Sequence, residues 1–137
     1  MNDPEQFFEL YKMAAHDRDK NLMSGLYHPD AELFDMWDAY HLHGLTSITS
    51  MINNWFDSLG NEQLEVDFSS IELRRSDETA FAYAFVHFRA IDAAGTVLRQ
   101  MKNRMTVCFV KNGNLWSVLH QHTSIPISSQ DIKGIFG

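Results

Sequence analysis

The sequence has little cysteine, little positive charge and no long hydrophobic run, and each shortage excludes a class of protein. Cys108 is the only cysteine, so no disulfide can form within the chain, and a reducing, cytoplasmic location is expected. The 11 lysines and arginines are outnumbered by 18 aspartates and glutamates, which argues against nucleic acid or an anionic membrane surface as a partner. No apolar run approaches the length of a membrane span, and the first residues show no secretion signal.

Motifs for nucleotides and for serine nucleophiles are also missing. The chain has no glycine-rich phosphate loop and no nucleophile elbow, and we expect no cofactor. The composition is otherwise ordinary for a globular protein, because 45% of the 137 residues are hydrophobic. No linker, repeat or low-complexity segment interrupts them, so residues 1–137 are expected to form a single domain.

The N-terminal part of the chain predicts three helices. The first opens at Asp3-Pro4, where an aspartate can cap a helix and a proline suits its first turn. A short second helix is expected to carry the apolar residues of segment 22–27 and to end at residues 28–30, because Pro29 cannot continue it. The third follows Gly44 and has the clearest helical period in the chain. Its apolar face consists of Ile48, Met51, Ile52, Trp55, Phe56 and Leu59.

The rest of the chain predicts strands. Two short strands are expected at 31–36 and 40–43, and from residue 62 the hydrophobic period changes to two. The long strands are expected at about 62–74, 79–91, 96–111 and 114–126. Asn112-Gly113 is a strong signal for the tight turn of the last hairpin. Helices followed by an antiparallel meander indicate an α+β domain with its helices on one sheet face, and the tail 127–137 is expected to be loosely held.

The segments YHPDAELFDMWDAYHLHG, DETAFAYAFVHF and NRMTVCFVKNGNLWSVLHQHTSIP, taken in this order of elements, carry a family resemblance. The chain resembles the nuclear transport factor 2-like superfamily, and within it SnoaL-like and ketosteroid-isomerase-like proteins. The resemblance implies a cone, in which a strongly bent antiparallel sheet wraps three N-terminal helices around an apolar pocket. It also implies a homodimer through the outer sheet face. Members include isomerases, polyketide cyclases, dehydratases and non-catalytic association modules.

The resemblance also assigns candidate catalytic residues. Asp35 matches the position of the isomerase base, and Tyr11 matches a tyrosine of the first helix. A third isomerase residue, a protonated aspartate on the penultimate strand, is replaced by Thr106, so steroid isomerisation itself is not expected.

Asp35 has a physical reason to act as a base. It lies between Phe34 and Met36, where desolvation would raise the pKa of its carboxyl group toward neutrality. The alternative is a solvated carboxylate at the end of a strand.

His87 and Arg89 share the odd-numbered face of their strand with Tyr83 and Phe85. The resemblance turns this face toward the pocket, where His87 could relay a proton. The alternative is an interior histidine whose ring is satisfied by hydrogen bonds, with Arg89 at the rim.

Arg104 depends on the register of the last hairpin. A two-residue turn at Asn112-Gly113 pairs Arg104 with Gln121 and Thr106 with Leu119. With Leu119, Gln121 and Thr123 inside, Arg104 would point inward and could bind a carboxylate or enolate oxygen. The full set of expected pocket residues is Trp37, Met51, Trp55, Tyr83, Phe85, Arg89, Thr106, Leu119, Gln121 and Thr123.

Two H-x-H pairs keep a metal site open as an alternative to a metal-free protein. His41 and His43, and likewise His120 and His122, point to the same side of a strand. Imidazoles at this spacing can bind zinc. The second pair is expected on the sheet face that points away from the pocket.

The pattern as a whole favours a proton-transfer enzyme acting on a small, largely apolar molecule with a carbonyl or hydroxyl group. In this hypothesis Asp35 is the base, Tyr11 and Arg104 stabilise oxygen charge, and His87 relays a proton. The alternatives are a non-catalytic binding or association module and a metal site on the H-x-H pairs.

The sequence also predicts a homodimer. Phe88, Trp116 and Val118 are expected on the outer sheet face, and a partner would cover them.

Overall fold

The computed structural model describes Met1–Gly137 and contains three helices and one six-stranded sheet. The sheet is strongly curved, and its strand order is β2-β1-β6-β5-β4-β3. This confirms the predicted α+β class. No helix has both the length and the apolar character needed to cross a membrane. The elements are α1 Gln6–Asp17, α2 Lys20–Ser24, β1 Tyr27–Phe34, β2 Leu42–His43, α3 Leu45–Ser58, β3 Gln63–Arg75, β4 Thr79–Ile91, β5 Val97–Asn112 and β6 Leu115–Ser124.

One ladder of the sheet is parallel, whereas the prediction had only antiparallel pairs. Strand β1 runs parallel to β6, and the other four pairs are antiparallel. Strand β1 also begins at Tyr27, inside the segment predicted as helix. The β1–β6 pairing is interrupted between Tyr27 and Glu32. Pro29 lies within this interruption, so the N–H that proline lacks is not needed for a hydrogen bond between the strands.

Strand β4 turns the opposite face inward from the one predicted. Its even-numbered residues Ala80, Ala82, Ala84 and Val86 are buried in the core. Its odd-numbered aromatic side chains are exposed on the outer face. They are Phe81, Tyr83 and Phe85, with 44%, 48% and 41% of their surface accessible. The small side chains on the inner face of β4 let other elements pack closely against the strand. The large aromatic side chains lie on its outer face.

The β5–β6 hairpin also differs from its predicted register. Asn112 pairs with Leu115, so the turn residues are Gly113 and Asn114, one position later than predicted. A β-bulge then leaves Leu119 unpaired, between the pairs Cys108–His120 and Phe109–Val118. Arg104 therefore pairs with Ser124 and Thr106 with His122, and the odd total shift places both side chains on the outer face.

The bulge also changes which residues of β6 are buried. Trp116 and Val118 precede it and lie in the core, while Gln121 and Thr123 follow it and face inward as well. The predicted outer position of Trp116 and Val118 is therefore wrong. Phe88 of β4 is likewise an inward residue that packs against the core.

The C-terminal tail is hydrogen-bonded to the body of the protein, contrary to the predicted loose attachment. Ile127 and Gly134 form an isolated bridge within the tail. The N–H of Lys102 on β5 donates to the carbonyl of Phe136 at 2.7 Å. This bond fixes the end of the tail across the sheet.

Candidate functional site

A cavity of about 1060 Å³ lies between α3 and the inner face of the sheet. Most of its wall is apolar, because α3 turns Met51, Ile52 and Trp55 toward it, while Ile48 and Phe56 are buried in the core on the neighbouring stripe of the helix. This volume lies at the upper end of the range typical of small-molecule pockets. Predicted pocket residues in its wall are Trp37, Met51, Trp55, Gln121 and Thr123, together with Tyr11 and Asp35.

Asp35 follows the last residue of β1 and brings a carboxylate into this wall. The hydroxyl of Thr123 donates a hydrogen bond to Oδ1 of Asp35 at 3.0 Å. Burial raises the pKa of the Asp35 carboxyl above its usual value, and the negative charge of Asp38 adds to the rise. The hydrogen bond from Thr123 and the nearby N–H of Met36, which itself donates to the Thr123 hydroxyl oxygen, act in the opposite direction on this pKa. Desolvation is the largest of these effects, so the protonated form of Asp35 is favoured relative to a solvated aspartate.

Two buried tyrosines lie near this carboxylate. Tyr11 comes from α1 and Tyr27 from β1, and both line the cavity. Tyr27 donates its hydroxyl proton to Oε1 of Gln121 at 2.7 Å. Burial raises the pKa of both phenols, and the charge of Asp35 raises them further. Both tyrosines are therefore neutral hydrogen-bond donors at physiological pH.

Asn103 is a polar residue of the cavity that the sequence reasoning missed. It lies on β5, 4% exposed, and its Oδ1 has no hydrogen-bond partner. Its Nδ2 donates to the sulfur of Met36 at 3.4 Å, which is a weak interaction. A buried amide with an unused oxygen is costly unless a bound molecule satisfies it. Asn103 alternates with Met101 and Met105, a pattern typical of a strand face that is buried. The predicted register of the β5–β6 hairpin placed this face outside.

Tyr27 and Arg99 are further cavity residues that were not predicted. Tyr27 was assigned to a helix, although the aromatic start of a strand was an equally good interpretation of that segment. Arg99 lines the cavity, but its guanidinium forms two hydrogen bonds with Glu62, one of them 3.0 Å long. This pair holds the pKa of the Glu62 carboxyl below its usual value. The cation is thus already neutralised by a protein partner.

The predicted catalytic residues His87 and Arg104 lie outside the cavity, and their predicted positions are wrong. His87 is on the odd-numbered outer face of β4, where its Nδ1 is 3.1 Å from a guanidinium nitrogen of Arg89. Arg89 in turn pairs with Glu65 at 3.3 Å and with Asp67. The prediction failed because β4 buries its small even-numbered side chains and exposes its large aromatic ones. The aromatic residues had been expected to face the pocket.

The same two errors remove the other predicted pocket residues from the cavity. Arg104 donates from Nε to the hydroxyl of Ser124 at 3.2 Å on the outer face, and Thr106 lies exposed beside it. Leu119 is the unpaired residue of the bulge, with 36% of its surface exposed. Tyr83 and Phe85 share the outer face of β4 with Arg89.

An aromatic pair lies at one end of the cavity. The rings of Trp37 and Phe136 are stacked, with centroids 5.8 Å apart and an interplanar angle of 19°. Both residues line the cavity, so the C-terminal tail contributes to its wall. Trp37 belongs to the β1–β2 connection, which also contributes Met36, Asp38 and Ala39.

Three of the four histidines of the H-x-H pairs surround Phe34 on the outer side of the sheet. The ring centroids of His41, His120 and His122 lie 6.1, 4.8 and 5.5 Å from that of Phe34. None of the four lines the main cavity. The carboxylate of Glu32 lies next to His41 and His43, and these three residues could together hold a metal ion.

Solved structures with the same architecture come from several bacteria. A protein of unknown function from Pseudomonas putida KT2440, described as nuclear transport factor 2-like, has 21% identity and a TM-score of 0.84, with 96% of this chain and 90% of that chain covered. A nuclear transport factor 2-like protein with a cystatin-like fold from Novosphingobium aromaticivorans has 18% identity and a TM-score of 0.76, covering 95% and 86%. The protein Aln2 from a Streptomyces species has 15% identity and a TM-score of 0.78, covering 89% and 91%. At these identities the similarity shows the fold alone.

The sequence itself identifies the family. None of the curated proteins matches the chain. The family model of the SnoaL-like domain matches residues 5–128, which is most of the chain. The chain therefore belongs to the SnoaL-like family, and it shares the fold of the nuclear transport factor 2-like protein from Pseudomonas putida.

Proposed function

We propose that the cavity binds a small, largely apolar molecule with a carbonyl or hydroxyl group, and that Asp35 moves a proton on this molecule as a general base. Isomerisation, cyclisation and dehydration can each begin with this proton abstraction. In isomerisation the proton returns to a different carbon, in cyclisation the enolate attacks a second carbonyl carbon of the same molecule and the resulting alkoxide takes up the proton, and in dehydration a hydroxyl group leaves with the proton as water. The observation that carries the proposal is a carboxylate with a raised pKa in the wall of a mainly apolar cavity. Desolvation makes a carboxylate a stronger base, and it brings the pKa closer to the pH at which the protein works.

The proton acceptor is held in place by Thr123. Its hydroxyl contacts Oδ1 of Asp35, and its own oxygen accepts the N–H of Met36 at 3.3 Å. Oδ2 of Asp35 is not part of this hydrogen bond and is the oxygen that we assign to the substrate proton. The arrangement orients the carboxylate while leaving one oxygen for chemistry.

Neutral donors in the same cavity would stabilise negative charge on a substrate oxygen. Tyr11 is suited to this role because burial keeps its hydroxyl protonated. Tyr27 already donates its hydroxyl proton to Gln121. Its oxygen can therefore accept a hydrogen bond from a ligand, or the residue can simply hold the Gln121 amide in position. The unused oxygen of Asn103 can accept a hydrogen bond from a substrate hydroxyl. Tyr11 and Asn103 thus replace Arg104 as candidates for contacting the polar end of the ligand.

A test of this function begins with ligands that remain bound through purification, identified by native mass spectrometry. The identified compound is then incubated with the protein in D₂O, and exchange of its carbon-bound protons is followed by NMR. We expect exchange with the wild type and a rate reduced by about 10²–10⁴-fold with Asp35→Asn, the usual contribution of a general base. Equal exchange rates with the two proteins would contradict the role of Asp35.

The second candidate is a non-catalytic binding module, and one observation favours it. The cavity wall contains no histidine, because His87 lies on the outer face. Asp35 then has no partner of suitable pKa to pass a proton onward, whereas binding needs none. A compound that binds with micromolar affinity but shows no exchange or turnover with the wild type would support this function and exclude the enzyme.

We also propose that the outer sheet face binds a second copy of the chain. Phe81, Tyr83 and Phe85 form an exposed aromatic row along β4, which is unusual for a surface that faces water. Arg104 on β5 pairs with Phe85, and Glu72 on β3 pairs with Tyr83, so opposite charges lie on the two sides of this row. A two-fold axis through the row would bring each charge near its complement on the partner, as an isologous interface requires.

The lone Cys108 supports a cytoplasmic location as part of the same proposal. Its thiol is partly buried, and burial raises its pKa, so it is a poor nucleophile and forms disulfides slowly.

A further inference from the structure

The hairpin of β1 and β2 brings three side chains with metal-binding atoms together on the outer side of the sheet. Glu32 and His43 are directly paired across the ladder, and Leu33 pairs with Leu42. His41 is two residues before His43 and points to the same side. One ligand atom from each of Glu32, His41 and His43 lies within 4.8 Å of the other two.

The spacing of these atoms is close to that around a single metal ion. Oε1 of Glu32 is 2.8 Å from Nδ1 of His43 and 3.5 Å from Nε2 of His41. A tetrahedral ion with ligand bonds of about 2.0–2.2 Å separates neighbouring ligand atoms by about 3.3–3.6 Å. The Glu32–His41 separation already fits, and the Glu32–His43 separation requires the two side chains to move apart by about half an ångström. The third separation, between the two imidazole nitrogens, is no more than 4.8 Å. Exposed glutamate and histidine side chains can make that movement by rotation alone.

We propose that Glu32, His41 and His43 bind one divalent transition-metal ion, with Zn²⁺ the ion that their two imidazoles and one carboxylate fit best. Two nitrogen ligands and one carboxylate oxygen leave the fourth tetrahedral position to water. All three side chains are partly open to solvent, with 47%, 47% and 66% of their side-chain surfaces accessible, so an ion can enter without unfolding the hairpin.

The surroundings hold two of the three ligands in place. Nδ1 of His120 lies 2.8 Å from the backbone carbonyl of Glu32 and donates a hydrogen bond to it. The ring of Phe34 contacts the ring of His41 edge to face, with an interplanar angle of 77°. With Nδ1 committed to the backbone, His120 serves to position Glu32. His120 and His122 are not part of the proposed ligand set, because the atoms within 4.8 Å of one another belong to Glu32, His41 and His43.

The proposed metal site and the cavity share one segment of chain. Residues 35–39 all line the cavity, and they lie between Glu32 and His41 in the sequence. An ion bound by both flanking residues would close a short loop and restrict the movement of this wall. The metal site stands on its own geometry, and it does not require that Asp35 be a catalytic base.

Binding is tested by titrating untagged, chelator-treated protein with Zn²⁺ in a calorimeter. We expect saturation at one ion per chain, and we expect Glu32→Gln, His41→Gln and His43→Gln each to weaken binding by at least ~10-fold. His16→Gln is the matched control, because His16 also lies next to an exposed carboxylate, that of Asp17, at 3.0 Å, but without a third ligand. This control should bind like the wild type. No saturable binding, or equal affinity in the wild type and the three site variants, would overturn the proposal.

Two further measurements make the result independent of any single variant. Co²⁺ added to the wild type should give visible absorption stronger than that of aqueous Co²⁺, and an unchanged aqueous spectrum would overturn the proposed coordination. Asp35→Asn should keep the full Zn²⁺ affinity, even though we expect it to lose proton exchange. Loss of Zn²⁺ binding in Asp35→Asn would place the ion at Asp35 and contradict the ligand set proposed here.

Discussion

The hydroxyl of Thr123 lies 3.0 Å from Oδ1 of Asp35 and donates a hydrogen bond to it, across the parallel junction of β1 and β6. Phe34, the last residue of β1, pairs with His122, so Asp35 follows it directly beside Thr123. The carboxylate is thus oriented by a neutral donor, and no basic residue opposes the effect of burial on its pKa.

The first prediction concerns the stability of Asp35→Asn. The folded-state pKa of Asp35 is raised above the usual value of 3.8, so its contribution to stability is complete below that value and is lost as pH rises through the folded pKa. At pH 7 the wild type therefore contains an unfavourably buried carboxylate, which asparagine avoids while still accepting the hydrogen bond from Thr123. We expect the mutant to melt at the same or a higher temperature than the wild type at pH 7.

Thermal melts of both proteins from pH 4 to 8 check this expectation. The advantage of the mutant should grow as pH rises through the folded-state pKa of Asp35 and stay constant above it. Asp77→Asn, in the exposed turn before β4, controls for the change in net charge. A mutant that is clearly less stable at pH 7 would mean that Asp35 is a stabilising anion, and the base hypothesis would lose its support.

The second prediction concerns Thr123→Val. The substitution keeps the shape of the side chain but removes the hydroxyl that lowers the pKa of Asp35, so this pKa should rise further. The lost hydrogen bonds should cost about 0.5–1.5 kcal/mol of unfolding free energy. Denaturant unfolding at pH 7 measures the loss. Thr106→Val is the matched control, because Thr106 lies on the outer face, and its stability should be unchanged within about 0.5 kcal/mol.

The third prediction concerns Asn103→Leu. Leucine has a similar volume and removes the buried oxygen that lacks a partner, so the free energy of unfolding should stay within about 1 kcal/mol of the wild-type value or increase. The affinity for the native ligand should fall, because the hydrogen bond to its polar group is lost. Urea unfolding and ligand titration give the two values. If the variant is destabilised by several kcal/mol, the amide has a structural role that these contacts do not explain.

The fourth prediction concerns assembly. Tyr83→Glu places a charge in the centre of the exposed aromatic row, and it should convert a dimer into a monomer. Light scattering at micromolar concentration measures the mass. Tyr40→Glu makes the same change at a side chain that is 98% exposed and distant from the row, and it should remain dimeric. A wild-type monomer would refute the interface.

The fold was predictable because each local signal agreed with the others. The apolar face of α3, the change of period at residue 62 and the Asn112-Gly113 turn all pointed to the same α+β arrangement. Asp35 was assigned by the family resemblance, and its position between Phe34 and Met36 supplied the physical reason to expect a raised pKa. These features depend on residues close together in the sequence.

The faces of the long strands were not predictable from alternation alone. Over residues 80–86 of β4 both sets of side chains are apolar or aromatic, and the smaller set faces the core, so hydrophobicity could not select between Ala82 and Tyr83. The bulge at Leu119 then reversed the face of every residue paired beyond it, including Arg104. No local sequence signal marks this bulge. Similarly, Glu32 joined His41 and His43 only through a ladder between β1 and β2 that pairs four residues.

The measurement that tests the central claim most directly is the pKa of Asp35 itself. Its carboxyl carbon can be followed by NMR in ¹³C-labelled wild type from pH 2 to 8, with the signal assigned by its absence from Asp35→Asn. Burial in the wall of the cavity predicts a pKa clearly above the 3.8 of a free aspartate, and a further increase in Thr123→Val. A pKa at or below 3.8 would show that the carboxylate is a stabilised anion, and it would contradict the account of Asp35 as a base.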